Sequence, residues 1–368
     1  MTIAATPDTL LDLSPVLPLG KRIAILAEGR FEPHYGKTAM GVIRYGRDEV
    51  VAVIDSTNAP GIVDAELGAT TEIPFVATLR DALAFGPNAL LIGAATVGGG
   101  IPAEWRPVLG EALEAGLDLV NGLHVFLGED PQLAAIARRT GHRIYDVRRP
   151  PEGIGVASGA PHPPGTRTVL TVGTDCAVGK MSVALELRSA ARARGLDADF
   201  VPTGQTGIMI EGWGITVDRV IGDFMAGATE AMVLHAMRDH DLVFVEGQGS
   251  LAHPAYSGVT LALIHGSRAE GLVLCHDASR TRTDLWNSPI PSGEDLRAFV
   301  ALHETMAGLV YPSRIVAAAV NTSRQTDSEA ERAIRSVEAV TELPADDPIR
   351  NGPDRLLEAV LARTPVAQ

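Results

Sequence analysis

The sequence predicts an α/β protein, with an N-terminal Rossmann-like domain built on a parallel sheet and a C-terminal, P-loop NTPase-like doubly wound domain. Two observations lead there. Short apolar runs alternate with stretches of helical spacing, the pattern of a parallel sheet covered by helices on both faces. One such run, residues 168–172, leads through a glycine-bounded loop into a helical stretch, which is the setting a phosphate-binding loop needs. At 368 residues, 46% of them hydrophobic and 21% charged, the chain has material for two packed cores.

The elements follow in order. Residues 1–20 read as an extension; they lack the basic start and continuous apolar stretch of a signal peptide, so a cytoplasmic protein is expected. The Rossmann-like domain spans 21–150. Its strands are read at 22–26, 50–54, 89–92 and 117–120, with helices at 38–45 and 105–115 and a glycine run at 98–100. Asp55 closes the second strand, but no GxGxxG precedes it, so a redox dinucleotide is not expected. Residues 151–166 carry Pro151, Pro161, Pro163 and Pro164 among glycines and read as a linker. The P-loop domain spans 167–368, with strands at 168–172, 198–201, 242–245, 271–275 and 315–320.

Charge and cysteine content remove several functions. The net charge is −14 with no basic run, which argues against nucleic acid or an anionic membrane as partner. No apolar run reaches the roughly 18 residues of a membrane span. Two cysteines make neither a disulfide framework nor a zinc site. A small-molecule partner and a homo-oligomer are expected. An anionic ligand must be held by local donors: backbone N–H groups, a helix N-terminus and a few cationic side chains.

The loop reads Gly173, Thr174, Asp175, Cys176, Ala177, Val178, Gly179, Lys180, Met181, Ser182. Consecutive amides cradle phosphate oxygens, the helix start adds partial positive charge, and Lys180 supplies a point charge. Two features depart from the common motif. Five residues separate the glycines, and Met181 stands where a Ser or Thr would bind Mg²⁺. Ser182 lies about 100° further round the helix. This puts hydrolysis in doubt more than phosphate binding.

The spacing and the Gly-Thr-Asp start resemble dethiobiotin synthetase, which reads GTDTxVGKT here. Val245-Glu246-Gly247-Gln248-Gly249-Ser250 is similar to that family's VEGAGG, whose carboxylate sits by metal and phosphates; the matching position is Glu246. Asn321 matches an Asn that reads adenine there. A wider resemblance covers almost the whole chain. Gly36-Lys37-Thr38-Ala39, the loop at 173–182, Pro202-Thr203-Gly204-Gln205-Thr206-Gly207, Glu246 to Ser250 with His253 and Pro254, and His276-Asp277 through Arg280 resemble a bacterial family of Rossmann-like and P-loop domains. Members of assigned activity are D-glutamate N-acetyltransferases that use acetyl-CoA, and the resemblance implies that activity.

The remaining site expectations follow from position. Thr203 and Gln205 come after a strand, at the end of a doubly wound sheet where ligands bind, and are expected to face the P-loop as substrate contacts. Glu246 or His253 is the candidate base for an ammonium proton, and the Gly247–Ser250 amides the candidate oxyanion donors. Arg280 is the candidate grip on a substrate carboxylate. Ser182, Asp223 and Glu246 are the metal candidates if Mg²⁺ is used. Cys176 sits by a helix N-terminus, which lowers a thiol pKa, but phosphate claims its space. Gly36-Lys37-Thr38 mimics a second P-loop with six residues between its glycines; it is read as an auxiliary anion site or a solvated loop lysine.

Three functions remain open at this point. The first is an acyl-CoA-dependent N-acetyltransferase on a small acidic amino acid such as D-glutamate. The second is an ATP- and Mg²⁺-dependent enzyme that activates a carboxylate, as dethiobiotin synthetase does. The third is a nucleotide-sensing binding module.

Overall fold

A computed structural model describes residues 11, 13–32, 35–64, 72–94, 96, 99–283 and 287–367. Of the expected N-terminal extension, residues 1–10 and 12 lie outside the described residues, as does Gly98 of the glycine run. The chain forms two compact units, Ser14–Pro150 with Gly204–Arg219, and Pro151–Thr203 with Val220–Gln368 and the first residues of the chain.

The Rossmann-like unit holds a seven-stranded sheet. Its strands are β1 (Arg22–Leu26), β2 (Glu49–Ile54), β3 (Gly61–Ile62), β4 (Pro74–Val76), β5 (Ala89–Ile92), β6 (Asp118–Asn121) and β7 (Ile144–Asp146), in the order β3-β4-β2-β1-β5-β6-β7. Pairing is parallel except between β3 and β4. Central strands such as β5 are buried throughout, so they read as apolar runs rather than alternating ones. The chain winds outward from β1 through β2 and β4, then returns to β5. Strand order therefore reverses between β1 and β5, and their carboxyl ends frame a crevice.

One segment departs from the sequence reading. Residues 204–219 lie within the bounds expected for the P-loop domain, yet cluster with the Rossmann-like unit. Residues Gln205–Glu211 are a helix packed on the helix Lys37–Tyr45 in the Rossmann-like unit. Thr206, Gly207, Ile208, Met209 and Ile210 are all buried. Seven residues with glycines at both flanks are too short to show helical periodicity, and burial on all sides removes the polar face.

The P-loop unit holds a six-stranded, wholly parallel sheet of β8 (Arg167–Gly173), β9 (Ala198–Val201), β10 (Leu242–Val245), β11 (Gly271–Asp277), β12 (Arg314–Asn321) and β13 (Ala345–Asp346), ordered β13-β12-β11-β8-β10-β9. Phe200 and Phe244 are fully buried on β9 and β10; each such burial contributes about 2–3 kcal/mol. β8 lies between β10 and β11, so the loop after it opens at the point where winding reverses.

Candidate functional site

β8 ends at Gly173, and the loop returns through two left-handed residues, Ala177 (φ 53°) and Gly179 (φ 104°). The 14-residue helix Lys180–Ala193 then begins with no side-chain cap on its first turn. Its orphan amides and partial positive charge make an anion site. Lys180 is buried, and its Nζ donates to the Asp175 carbonyl at 2.7 Å. Burial pulls its pKa down, against the opposing pull of nearby thiols and of the Asp175 and Glu246 carboxylates. A phosphate arriving here would restore a charge partner to a desolvated ammonium.

The strand ends beside the loop hold it in shape. Gly247 donates its N–H to Thr171 Oγ1 at 2.9 Å, and a Cβ on it would stand 1.7 Å from the Thr171 carbonyl oxygen. Glu246 is buried; its Oε2 accepts the Thr203 N–H at 2.9 Å, and its carbonyl accepts the Thr203 hydroxyl at 2.8 Å. Gln248 Nε2 donates to the same Thr203. Thr174 Oγ1 and His276 Nδ1 are 3.1 Å apart, and burial holds the His276 pKa below its usual value.

Asp175 is 2% exposed. Its Oδ2 meets Arg280 Nη1 at 3.2 Å, while its Oδ1 is buried without a hydrogen-bond partner among the described residues. Arg280 also donates to the Cys176 carbonyl at 3.0 Å, and its Nε lies 3.3 Å from Asp277 Oδ2. Arg280, the expected grip on a substrate carboxylate, thus engages two protein carboxylates and a carbonyl and braces the loop.

His253, the other expected base, is also tied to its own loop. Its Nδ1 accepts the N–H groups of Ala255 and Tyr256 at 3.1 and 3.2 Å, and its ring stacks on Tyr256. The ring proton of the neutral form then sits on Nε2, so this face of His253 donates and does not abstract. A ring nitrogen of His253, the Cys176 sulfur and an Asp175 oxygen lie within 4.8 Å of one another. A metal on Nε2 would require the proton on Nδ1, against two amide donors, so the histidine of this trio is ill set as a cation ligand. Cys275, the other thiol, is buried and pushed up to about 12 by desolvation.

Further placements differ from expectation. Ser250 is fully buried and its Oγ accepts the Ala252 N–H, so it shapes a turn. The Gly247 amide is spent on Thr171 and is no oxyanion donor. Gln205 belongs to the Rossmann-like unit, where its Oε1 accepts from Arg148 at 2.7 Å. Asp223 is exposed on the short turn Gly222–Phe224. Among the three metal candidates only Glu246 is a buried carboxylate whose charge acts on Lys180.

Ser182 lines a cavity of about 310 Å³ together with Gly179, Val183, Asn321, Asp347 and Ile349. Asn321 Oδ1 accepts the Ser323 N–H, which leaves the Nδ2 edge for a ligand acceptor. Asp347 escaped the sequence reading. Its Oδ2 accepts the N–H and hydroxyl of Thr322, and its Oδ1 the N–H groups of Ile349 and Arg350. It follows a two-residue strand, too short for any periodic signal.

The uncapped helix start thus lies beside a cavity of about 310 Å³. Residues 155–357 match the family model described as the P-loop domain of DUF1611, a domain of unknown function, and residues 61–150 match its Rossmann-like N-terminal domain. The chain belongs to the DUF1611 family. A D-glutamate N-acetyltransferase of Tritonibacter scottomollicae is 43% identical over 328 residues, covering 89% of this chain and 94% of the relative. Another of that name from a Pseudoalteromonas species is 35% identical over 76% of this chain and 83% of the relative. The crystal structure of a DUF1611 family protein from Anabaena variabilis superposes with a TM-score of 0.88 at 42% identity, covering 93% of this chain and all of that one. Among the described residues, no helix is long and apolar enough to cross a membrane.

Proposed function

We propose that this DUF1611 protein transfers the acetyl group of acetyl-CoA to the amino group of D-glutamate, and that its P-loop holds the nucleotide half of the donor. The names of the two relatives support the reaction. The observation that carries the donor is the cavity at Asn321 opening beside Gly179 and the uncapped helix start. A base fits the former and phosphate oxygens the latter. Met181, in place of a metal-binding hydroxyl, suits a held cofactor phosphate.

In the reaction the thioester C–S bond breaks and an amide C–N bond forms. The amine must first lose a proton, and the CoA thiol leaves as the amide forms. The pantetheine arm is about as long as four extended residues, so the thioester lies roughly 14 Å from the phosphates. Lys180, Glu246 and His253 touch the loop and so serve the phosphate end: Lys180 as the charge partner, His253 as a donor, Glu246 as the brace for Thr203. The base that frees the amine is then a residue at the far end of the arm.

The test is release of free thiol when acetyl-CoA is mixed with D-glutamate, L-glutamate, D-aspartate or D-glutamine. Turnover with D-glutamate above the others is expected. Absence of thiol release with every amine would refute the activity.

A second reading is favoured by one observation. The orphaned Asp175 Oδ1 and the Glu246 carboxylate stand near a site for anions, where a divalent cation with ATP would relieve the repulsion. It requires that ATP bind with Mg²⁺ and displace acetyl-CoA.

A further inference from the structure

The Rossmann-like unit contains a polar cavity of about 70 Å³ lined by residues of that unit alone. It opens at the carboxyl end of the sheet, where Ile92 ends β5, Gly122 follows β6 and Arg148 follows β7. This is the side of the strand-order reversal where open α/β sheets take ligands. Thr38, His124 and Gln205 complete the polar wall.

The donors there outnumber the acceptors. Arg148 is 7% exposed. Its Nε donates to the Gly122 carbonyl, one Nη1 proton to Asp218 and one Nη2 proton to Gln205 Oε1, each at 2.7 Å. A guanidinium carries five N–H groups, so two remain without a described acceptor. The Thr38 and Thr206 hydroxyls are 3.0 Å apart and buried. Their mutual bond uses one hydroxyl proton and spares the other. Burial and the Arg148 charge hold the His124 pKa below its usual value, so its ring is neutral with one N–H to give. Arg148 and Arg219 set against Asp218 give His124 a net cationic neighbourhood.

We propose that this cavity binds a carboxylate, the side-chain end of an acidic amino acid, between Arg148, His124 and the Thr38 hydroxyl. A neutral ligand leaves the spare donors without strong acceptors, whereas a carboxylate offers about four lone-pair sites and accepts from Arg in bidentate fashion. The space admits about five waters, which matches a carboxylate and its adjoining carbons. Thr38 belongs to Gly36-Lys37-Thr38, the stretch that imitates a second P-loop, so the proposed site falls where the sequence offered an auxiliary anion site as one alternative, and it is built on side chains and not on a phosphate cradle.

The test is calorimetric titration of the full chain, without acetyl-CoA, with D-glutamate, D-glutamine and glutarate. D-glutamate should bind at least about tenfold tighter than D-glutamine, as loss of a charge-assisted hydrogen-bond acceptor implies. Thr38→Val and His124→Gln should each weaken D-glutamate by about tenfold while CoA binding stays unchanged. Equal binding of the two amino acids, no binding of D-glutamate, or wild-type affinity in both variants would overturn the site. Only the choice of D-glutamate rests on the proposed activity. Glutarate binding that both variants weaken, with no acetyl transfer, would sink the activity and leave the site standing.

Discussion

The Nζ of Lys180 donates to the carbonyl of Asp175, 2.7 Å away and five residues back in the same loop. The ammonium is thus turned onto its own loop, in surroundings that disfavour its charge. Lys180→Met is expected to weaken CoA binding about 100-fold, the worth of a charge-assisted hydrogen bond. Thermal stability should stay level or rise, because a desolvated charge is removed. Titration and melting of the same variant check both parts.

Gly247 leaves no room for a side chain. With the Thr171 oxygen 1.7 Å from a built Cβ, strand β10 must move for any other residue to fit. Gly247→Ala should cost at least about 3 kcal/mol in a urea melt. Gly258, whose Cβ would meet nothing within 4 Å, is the control, and Gly258→Ala should be neutral or stabilising.

Arg280 stands between Asp175 and Asp277. Arg280→Met strands two buried carboxylates and should destabilise the fold by about 3–5 kcal/mol. Adding Asp175→Asn should recover part of that loss, since the pair is coupled. If Arg280 instead held substrate, the loss would fall on the KM for the amino acid and not on the urea midpoint.

His303 is wholly buried; its Nδ1 and the Phe299 carbonyl oxygen are 2.9 Å apart and its Nε2 has no partner among the described residues. Desolvation lowers its pKa from 6.5 to about 4. The unfolded chain binds the proton first, so between pH 6.5 and 4 the unfolded state carries more protons and stability falls as pH falls. The shift corresponds to about 3 kcal/mol across that window. His303→Leu should remove this part of the acid slope, as read from denaturant melts at pH 7, 5.5 and 4.

Much of this architecture could be read in advance, for a physical reason. Strands such as Ala89–Ile92 and Leu242–Val245 are buried on both faces, so their apolar runs are unbroken and their limits plain. The loop at 173–180 was legible because glycine and lysine are demanded there by backbone conformation and charge. What escaped was decided by tertiary contacts. The helix Gln205–Glu211 has no polar face to betray it. The roles of Arg280 and His253 turn on hydrogen bonds from partners far along the chain or on the direction of a ring nitrogen, and residue type carries neither. Asp347 gathers four bonds after a strand of two residues, where no pattern exists to be read.

The central claim is that the P-loop holds the nucleotide half of acetyl-CoA. Adenosine 3′,5′-bisphosphate, that half shortened by one 5′ phosphate and without its arm, tests it most directly as an inhibitor of acetyl transfer. We expect inhibition competitive with acetyl-CoA, independent of Mg²⁺, and binding of the bisphosphate lost in Lys180→Met. Inhibition that is absent, noncompetitive with acetyl-CoA or dependent on Mg²⁺, or binding unchanged in the variant, would contradict it.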